Sequence, residues 1–555
     1  MPTISCTYKD LTALIGRTIS VEALPETLKL VKGELKGYDA ETDELRIELN
    51  DTNRPDLWCT EGIARQLAGG AKAYPFFDAE AVHRVEVDAR LESIRPLVGA
   101  FIARGPGIDE PTLIQMIQTQ EKLTEGLGRR RSTVAIGIYN AAKITFPVHY
   151  RAAAPEEVRF VPLGFDEPMT LTRILAEHPK GTEYRSLVEG KPFYPLLIDS
   201  ADVVLSFPPI INSRASGEVQ VGDNALFVEA TGDDPRALTL ALDILACNFA
   251  DRGFEIERTC AVFPYETSLG REVTVPHRIP CSTAFDIALV EKLLGEKFDP
   301  DEMKQALIDY GLDTAIEGTT LKATAPPFRL DLMHPVDVIE DVAMSLGLDR
   351  FTPEMPKDFT VGKLAPMTIL ADRARDRLIG FGFEEIISNA LSNAEDLRTR
   401  MCLDNDRLVE IGNYLTETYS VLRDWLLPSL MRVEAASGAA LYPHRIFEVG
   451  EIAILAETDD GVLPTNALKA AVLIAHPEAN FTEIHSFLEL LLYHLDLEGT
   501  LEPMEHPTFT PGRVGRIIVK GNEAGLIGEI HPQVLENWEI RMPCAAFEVS
   551  LTAIR

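Results

Sequence analysis

The chain has 555 residues, a formal net charge of −33 and a hydrophobic share of 46%. This length exceeds what one hydrophobic core organises and predicts roughly three to five domains. The negative charge argues against a free-standing nucleic-acid-binding protein, which is usually basic, but it leaves room for a local RNA-facing patch or a basic partner. No run of about 18 apolar residues is present, so we expect no membrane-spanning segment.

The seven cysteines are dispersed along the chain, and none forms a C-x-x-C pair. An odd, scattered set of cysteines favours reduced thiols over a disulfide framework, and the absence of a close Cys/His cluster argues against zinc. The first residues also lack the basic region and apolar core of a signal peptide. These features predict a cytoplasmic protein.

The predicted elements begin with residues 1–85, an N-terminal α/β domain. It starts with a helix from Tyr8 to Ile15, continues with an alternating strand over Asp43–Leu49, and ends with a helix from Thr60 to Leu67. Thr60 is a residue type that favours the N-cap. Residues 86–265 mix strands and helices. The clearest predicted elements are buried strands at residues 134–138 and 226–228 and a helix at residues 236–250.

The pattern of residues 268–350 predicts a compact, winged-helix-like domain. Helical periodicity covers Phe285–Leu294 and Asp301–Tyr310, and a third helix begins near Pro335. Residues 360–555 predict one α/β domain that opens with an amphipathic helix from Met367 to Phe381 and then alternates strands with helices. The predicted fold class is therefore a multidomain α+β protein.

Four carboxylates gather around the third helix of residues 268–350. Asp337, Glu340 and Asp341 share one helical face, and Asp331 lies just upstream on the incoming strand. Carboxylates that converge on one spot repel one another unless a cation lies among them, and hard oxygen ligands suit Mg²⁺. The alternative is that acidic residues in a first turn complement the helix dipole and stay solvated. The spacing alone leaves both interpretations open.

A second group of polar residues lies in two neighbouring segments of residues 86–265. A proline-stiffened loop ends in Asn212 and Ser213, and a strand places Glu229 and Thr231 on one face by alternation. These four residues could line a pocket that positions water. The alternative is a capped turn beside a half-exposed strand.

Two further motifs carry charge. The stretch Gly126–Arg131 contains three consecutive arginines but lacks the ending of a phosphate-binding loop, so it predicts a solvated basic loop, with RNA or phosphate contact as the alternative. Arg445 and Glu448 could contact a nucleotide, although an ordinary ion pair has the same pattern.

The order of these segments resembles one family over nearly the whole chain, the phenylalanyl-tRNA synthetase β subunits of archaeal and eukaryotic type. The resemblance lies in Asn53–Leu57 with Glu61–Arg65, in Pro208–Ser213 with Phe227–Gly232, in Arg329–Asp341, and in Leu422–Leu430 with Arg445–Gly450. It implies a central tRNA-editing domain at 86–265, a helical magnesium-binding domain at 268–350, and a C-terminal class II synthetase-like antiparallel sheet with helices at 360–555.

The resemblance also implies the activity. The expected assembly is an α2β2 tetramer with the phenylalanyl-tRNA synthetase α subunit, which binds ATP and phenylalanine and charges tRNA(Phe). In this chain the late glycine-rich stretch Ala524–His531 lacks an arginine after Glu529, so its class II-like domain is expected to be inactive and to contact α. The chain itself would hydrolyse mischarged Tyr-tRNA.

The site residues that the resemblance implies fall into two sets. The editing set is Asn212, Ser213, Glu229 and Thr231, and the Mg²⁺ ligands are Asp331, Asp337, Glu340 and Asp341. Two other functions compete with this one. The chain could be a free-standing aminoacyl-ester hydrolase, or a non-catalytic scaffold that binds RNA.

Overall fold

The structure is a computed structural model that describes residues 2–404, 407–458 and 461–555. The chain divides into two compact units, of which one ends at Glu354 and the other begins at Met355. Several sheets, each associated with helices, confirm a multidomain protein of mixed α and β structure. Among the described residues, no helix combines the length and apolar character that a membrane crossing requires.

The first unit opens with a small antiparallel sheet. Its central strand, Glu44–Leu49, lies between Thr3–Thr7 and Gly33–Asp39, and its alternate residues turn inward, as the pattern predicted. The predicted helix Tyr8–Ile15 is confirmed, and Thr7 caps it. A second helix covers Thr60–Ala68.

Thr60 does not cap this second helix, so that prediction is wrong. Cys59 holds the N-cap position, with its sulfur accepting a hydrogen bond from the Gly62 N–H. The Thr60 hydroxyl is turned away from the helix end because it donates to Gln115 Oε1 at 2.7 Å. A hydrogen bond to a residue distant in sequence therefore replaces the N-cap bond that the local sequence predicted for Thr60.

A mixed sheet of ten strands forms the centre of the first unit. Nine strands follow one another across the sheet in the order Ile211–Asn212, Val204–Phe207, Tyr194–Asp199, Val148–Ala153, His83–Val87, Glu255–Val262, Leu97–Arg104, Ala225–Gly232 and Val134–Asn140. The tenth, Glu272–Val275, pairs with Glu255–Val262. The helices of this region are Glu110–Glu125, Leu171–Glu177, Pro179–Tyr184, Arg214–Gly217 and Pro235–Asp251. The strands and the helix predicted for this region are confirmed.

The strand Ala225–Gly232 is buried along its whole length between two antiparallel neighbours. In this register Glu229 lies opposite Gly137 and Thr231 lies opposite Ala135. A Cβ atom on Gly137 would clash with the Tyr139 hydroxyl and with Glu229 Oε1. The glycine therefore leaves the space in which these two polar groups meet.

Residues 282–346 add a three-stranded sheet and three helices to the first unit. The strands are Ser282–Asp286, Asp313–Glu317 and Thr320–Thr324, and the helices are Ala288–Leu294, Pro300–Asp309 and Pro335–Leu346. The helix predicted from Asp301 and the helix predicted near Pro335 are confirmed. The helix start at Phe285 is wrong, because Phe285 lies in a strand and pairs with Leu321.

The second unit contains a seven-stranded sheet. The strand order is Glu384–Glu385, His444–Thr458, Gly461–Ala475, Cys544–Ser550, Asn522–Ile530, Phe509–Val519 and Gly499–Pro503. Its longer helices are Pro366–Gly380, Leu427–Ala436 and Phe481–His494. The first of these confirms the helix predicted from Met367 to Phe381. Apart from the pairing of Glu384–Glu385 with His444–Thr458, the pairs in this sheet are antiparallel.

Candidate functional site

A cavity of about 320 Å³ opens in the first unit beside the strand Ala225–Gly232. Its apolar wall includes Leu113, Met116 and Ile136, and the proline loop at Pro208–Pro209 forms another side. Among the four predicted editing residues, Asn212, Glu229 and Thr231 line this cavity. The structure therefore brings together residues that the sequence separates by up to 19 positions.

Glu229 is the buried carboxyl of the cavity, with 3% of its surface exposed. The Tyr139 hydroxyl donates to Glu229 Oε1 at 2.8 Å, whereas Oε2 has no hydrogen-bond partner among the described residues. Burial raises the pKa of Glu229 to about 7, although the Tyr139 hydrogen bond and the nearby Arg95 both oppose this rise. The cavity thus contains a carboxyl oxygen that is free to bind a ligand and that changes charge near neutral pH.

Thr231 is oriented from behind by Arg95, a buried arginine. Arg95 Nε donates to Thr231 Oγ1 at 3.0 Å, and its two other nitrogens donate to backbone carbonyls of Thr231 and Ser132. A hydroxyl oxygen that accepts a bond from a guanidinium keeps its own proton for another partner. The Thr231 hydroxyl can therefore donate a hydrogen bond into the cavity.

Asn212 and Ser213 occupy different positions although they are adjacent in sequence. Asn212 Oδ1 lies 3.4 Å from the Tyr139 hydroxyl, at the polar end of the cavity. Ser213 is buried as the N-cap of the short helix Arg214–Gly217, and its hydroxyl accepts from the Ala215 N–H at 3.2 Å. Ser213 does not line the cavity, so its contribution is to hold the turn that presents Asn212.

Sequence reasoning did not identify three residues of this site, namely Tyr139, Ser206 and Arg95. Ser206 lines the cavity, pairs with Asn212 of the neighbouring strand, and lies two residues before the proline loop. Tyr139 lies two residues after Gly137 on a strand that the sequence did reveal. Alternation along that strand was the signal for Tyr139, but no local signal connects Arg95 to a residue 136 positions later.

The basic stretch Gly126–Arg131 reaches the same cavity. Arg131 lines it and donates to the carbonyl oxygens of Pro209 at 3.0 Å and Ile210 at 2.8 Å. The Arg131 guanidinium also lies over the ring of Tyr184, 4.3 Å from its centroid. One arginine of the three is thus part of the cavity wall and fixes the proline loop.

The predicted magnesium ligands are engaged with protein groups. Arg329 is buried, and it contacts Asp331 through Nε at 3.0 Å and Nη2 at 2.6 Å, and Asp341 through Nη2 at 2.9 Å. Burial alone would raise the pKa of Asp331, but Arg329 outweighs it and the pKa is lowered; for Asp341 burial prevails and the pKa is raised. The guanidinium supplies the positive charge between these two carboxylates.

The two remaining carboxylates point elsewhere. Asp337 accepts from the backbone N–H groups of Met333 and His334 in a capping box, and Glu340 pairs with Lys32 at 2.9 Å. In the part of the chain that the structure describes, no group of three or more His, Cys, Asp or Glu side chains is placed to hold a metal ion. The four carboxylates do not fit one shared magnesium site in this arrangement, and the ligand set stays a prediction.

The three charged residues of the second unit that belong to the sequence motifs are also paired. Glu448 contacts Arg423 at 2.7 Å, Arg445 contacts Glu483 at 3.2 Å, and Glu529 contacts Arg513 at 2.6 Å. Glu448 and Arg423 are both almost fully buried. Arg445 and Glu448 therefore serve separate ion pairs, which favours the structural interpretation of that motif.

Comparison with known proteins defines the class first. The model of the tRNA synthetase B5 domain matches residues 283–348, and the model of the phenylalanyl tRNA synthetase beta chain CLM domain matches residues 352–551. The chain thus carries two modules of aminoacyl-tRNA synthetases.

Full-length relatives then define the family. The chain is 40% identical to a phenylalanine–tRNA ligase beta subunit of Thermococcus onnurineus, over 99% of this chain and 98% of that protein. It is 41% identical to the protein of the same name from Treponema pallidum, over 92% and 86%. A crystal structure of an N-terminal fragment of the phenylalanyl-tRNA synthetase beta subunit from Pyrococcus horikoshii superposes with a TM-score of 0.59 at 37% identity and covers 62% of this chain and 99% of the fragment. The chain belongs to the family of phenylalanine–tRNA ligase β subunits, as its motifs predicted.

Proposed function

We propose that this chain supports the ATP-dependent charging of tRNA(Phe) by a separate α subunit and hydrolyses mischarged Tyr-tRNA in the cavity beside Glu229. The proposed assembly is an α2β2 tetramer in the cytoplasm. The full-length likeness to phenylalanine–tRNA ligase beta subunits supports the first role. The second role rests on Glu229 Oε2, which is buried in a largely apolar cavity and has no hydrogen-bond partner among the residues that the structure describes.

A second site is needed because tyrosine differs from phenylalanine only by one hydroxyl. A hydrophobic pocket rejects a substrate that merely adds a hydroxyl by about a hundredfold, which is too little for accurate charging. A cavity that binds the phenol can instead recognise the error. The apolar wall of this cavity suits the ring, and Glu229, whose other oxygen accepts from Tyr139, offers a partner for the phenol hydroxyl.

The proposed hydrolysis relies on positioning. Water adds to the ester carbonyl carbon, the bond from that carbon to the ribose oxygen breaks, and tyrosine and a free tRNA hydroxyl leave. Thr231 would donate a hydrogen bond to the developing oxyanion, with Arg95 fixing its hydroxyl from behind. Asn212 would position the water, and Ser213 would hold the turn. Glu229 is assigned to the phenol hydroxyl, which leaves no general base among the four side chains, so orientation and exclusion of bulk water carry the reaction.

The direct test uses the complex of this chain with its α subunit. We expect the double variant Glu229→Ala/Thr231→Ala to lose hydrolysis of Tyr-tRNA while phenylalanine charging persists. Equal hydrolysis by the wild-type complex and the double variant would falsify the editing proposal. Retained charging excludes general misfolding as the cause of a loss.

The second unit is proposed to contact α without forming the adenylate. The pairing of Glu448, Arg445 and Glu529 with neighbouring side chains supports this proposal, because those groups are not free to bind a nucleotide. Co-expression with the cognate α gene, followed by aminoacylation with and without this chain, tests it. A stable monomer with deacylase activity would instead favour a free-standing aminoacyl-ester hydrolase, and RNA binding without hydrolysis would favour a scaffold.

Magnesium enters this proposal only as a companion of ATP in the charging reaction. The set Asp331, Asp337, Glu340 and Asp341 would bind Mg²⁺ together only after Arg329 and Lys32 had left their present partners. No step of the proposed hydrolysis depends on this ion.

A further inference from the structure

We propose that Arg129 and Arg130 form a binding site for the phosphodiester backbone of the single-stranded RNA end whose terminal ester enters the cavity. This inference rests on the proposed editing function and adds the element that would hold the nucleic acid at the rim. It starts from an unusual backbone conformation in the segment Gly126–Arg131.

Three consecutive arginines of this segment adopt the left-handed backbone region, with φ angles of 46° at Arg129, 54° at Arg130 and 64° at Arg131. Residues other than glycine rarely adopt this region, and three in succession persist only where the surrounding structure enforces them. Sequence preference alone would have placed glycine or asparagine here. The conformation therefore requires an explanation from the neighbouring structure.

Hydrogen bonds to the end of the preceding helix enforce the turn. The N–H groups of Arg129, Arg130 and Arg131 donate at 3.1 Å to the carbonyls of Gly126, Glu125 and Thr124, respectively. Since these backbone donors are already used, an approaching anion finds only the guanidinium groups. The turn thus presents side chains, and it does not resemble a phosphate loop that binds through its backbone.

The three guanidinium groups have different surroundings. Arg131 is directed inward and holds the proline loop of the cavity. Arg130 has 70% of its side chain exposed and lies 3.9 Å from Glu125, a distance at which water screens the attraction strongly. Arg129 is exposed and has no side-chain partner among the described residues. Two cations that directly precede a residue of the cavity wall, Arg131, are therefore available to an external anion.

The charge of the chain makes this cluster unusual. The net charge of −33 repels nucleic acid overall, whereas the cavity wall includes Arg131, which follows Arg129 and Arg130 directly. Lys180 and Glu218 also line the cavity. A substrate whose aminoacyl ester occupies the cavity has phosphodiester groups immediately behind it. Arginine matches phosphate oxygens in a bidentate geometry, so the last phosphates of the chain are the anions that this position selects.

The test compares two esters in the complex with the α subunit. Tyr-tRNA carries the phosphodiester chain, whereas the tyrosyl ester of adenosine carries only the terminal nucleoside. We expect Arg129→Gln/Arg130→Gln to raise KM for Tyr-tRNA by about tenfold with kcat retained, and to leave hydrolysis of tyrosyl-adenosine as in wild type. We also expect the slope of log(kcat/KM) against log salt concentration to become shallower by about 1.4, since each phosphate contact on a single strand contributes about 0.7.

Two further variants separate charge from structure. Arg129→Lys/Arg130→Lys keeps the charges and should restore most of the affinity for Tyr-tRNA. The matched control Arg84→Gln/Lys322→Gln removes two exposed charges elsewhere in the first unit and should leave KM unchanged.

The outcomes distinguish this inference from the function on which it rests. An unchanged KM for Tyr-tRNA, or an equal loss with both esters, overturns the phosphate site while the editing function stands. If the wild-type complex hydrolyses neither ester, the editing function is wrong and this inference falls with it. If the glutamine variant instead releases a protein subunit on gel filtration, the turn is a protein contact and the proposal is wrong.

Discussion

Buried polar groups differ in their partners between the cavity of the first unit and the buried ion pair of the second unit. In the cavity, one oxygen of Glu229 has no partner within the described part of the chain, and the Thr231 hydroxyl can donate its proton to another acceptor. In the second unit, Glu448 is just as buried but contacts Arg423 and Ser388. An unpaired buried polar group costs free energy, and a fold retains it where a ligand supplies the partner. The contrast supports the proposed binding role of the first group and a stabilising role of the second.

Removing Arg423 should cause the largest loss of stability. Arg423→Met leaves Glu448 buried without its cation, and breaking such a pair costs about 3–5 kcal/mol. Hydrogen exchange of the strand that contains Glu448, followed in increasing urea, measures this loss. The double variant Arg423→Met/Glu448→Met should recover most of it, and both variants should hydrolyse Tyr-tRNA normally. Impaired hydrolysis with full stability would reverse the assignment of the two regions.

Removing the Thr231 hydroxyl should cause the largest loss of hydrolysis among single substitutions in the cavity. Thr231→Val keeps the shape of the side chain but removes the donor, and the loss of one oxyanion donor lowers kcat by about a hundredfold or more. Thr231→Ser restores the hydroxyl and should restore most of the rate. Single-turnover deacylation of Tyr-tRNA distinguishes these variants. A Val variant as active as the Ser variant would contradict a role for this hydroxyl.

The raised pKa of Glu229 should make the stability of the first unit depend on pH. With a pKa of about 7, the folded carboxyl keeps its proton while the unfolded one loses it above its ordinary value of 4.5. The folded state thus binds more protons in this window, and stability falls as pH rises from 4.5 to 7 and is level above.

Glu229→Gln lacks this titration and provides the measurement. Between pH 5.5 and pH 8 the variant should gain on the order of 2 kcal/mol over wild type, judged by urea-dependent hydrogen exchange of the strand Ala225–Gly232. Comparison at the same pH cancels the intrinsic pH dependence of exchange. A difference that stays constant with pH would show that Glu229 is ionised throughout.

The smallest effect is expected at Glu340. Its pair with Lys32 is partly solvated, with 57% of the glutamate side chain exposed, so Glu340→Gln should cost less than about 1 kcal/mol. Urea unfolding with and without MgCl₂ adds a second comparison. If Mg²⁺ stabilises wild type more than the variant, the magnesium prediction gains support over the ion pair seen here.

The sequence predicted elements well where local chemistry decides them. The helix Tyr8–Ile15, the helix beginning at Pro335 and the alternation of Glu229 with Thr231 all follow from spacing and turn residues. It failed where a distant partner decides. The Thr60 hydroxyl donates to Gln115 instead of capping the helix, and Phe285 lies in a strand because it pairs with Leu321.

The same limit applies to the sites. Helical spacing placed three carboxylates on one face of a helix, but it gave no sign that Arg329 would fold back between Asp331 and Asp341. Asn212, Glu229 and Thr231 were found because motif and alternation identify them. Ser206 and Arg95 contribute through contacts across the sheet, which no local pattern records, whereas alternation along its strand was an available signal for Tyr139.

The contact between Tyr139 and Glu229 requires a residue without a side chain at position 137. Even one methyl group there would collide with both the Tyr139 hydroxyl and Glu229 Oε1, and both are held by buried strands. Alanine at this point would therefore separate Tyr139 from Glu229, the carboxyl that is proposed to recognise a phenol. In a homologous chain, a side chain at the equivalent position would be a simple marker that the proposed editing site is absent.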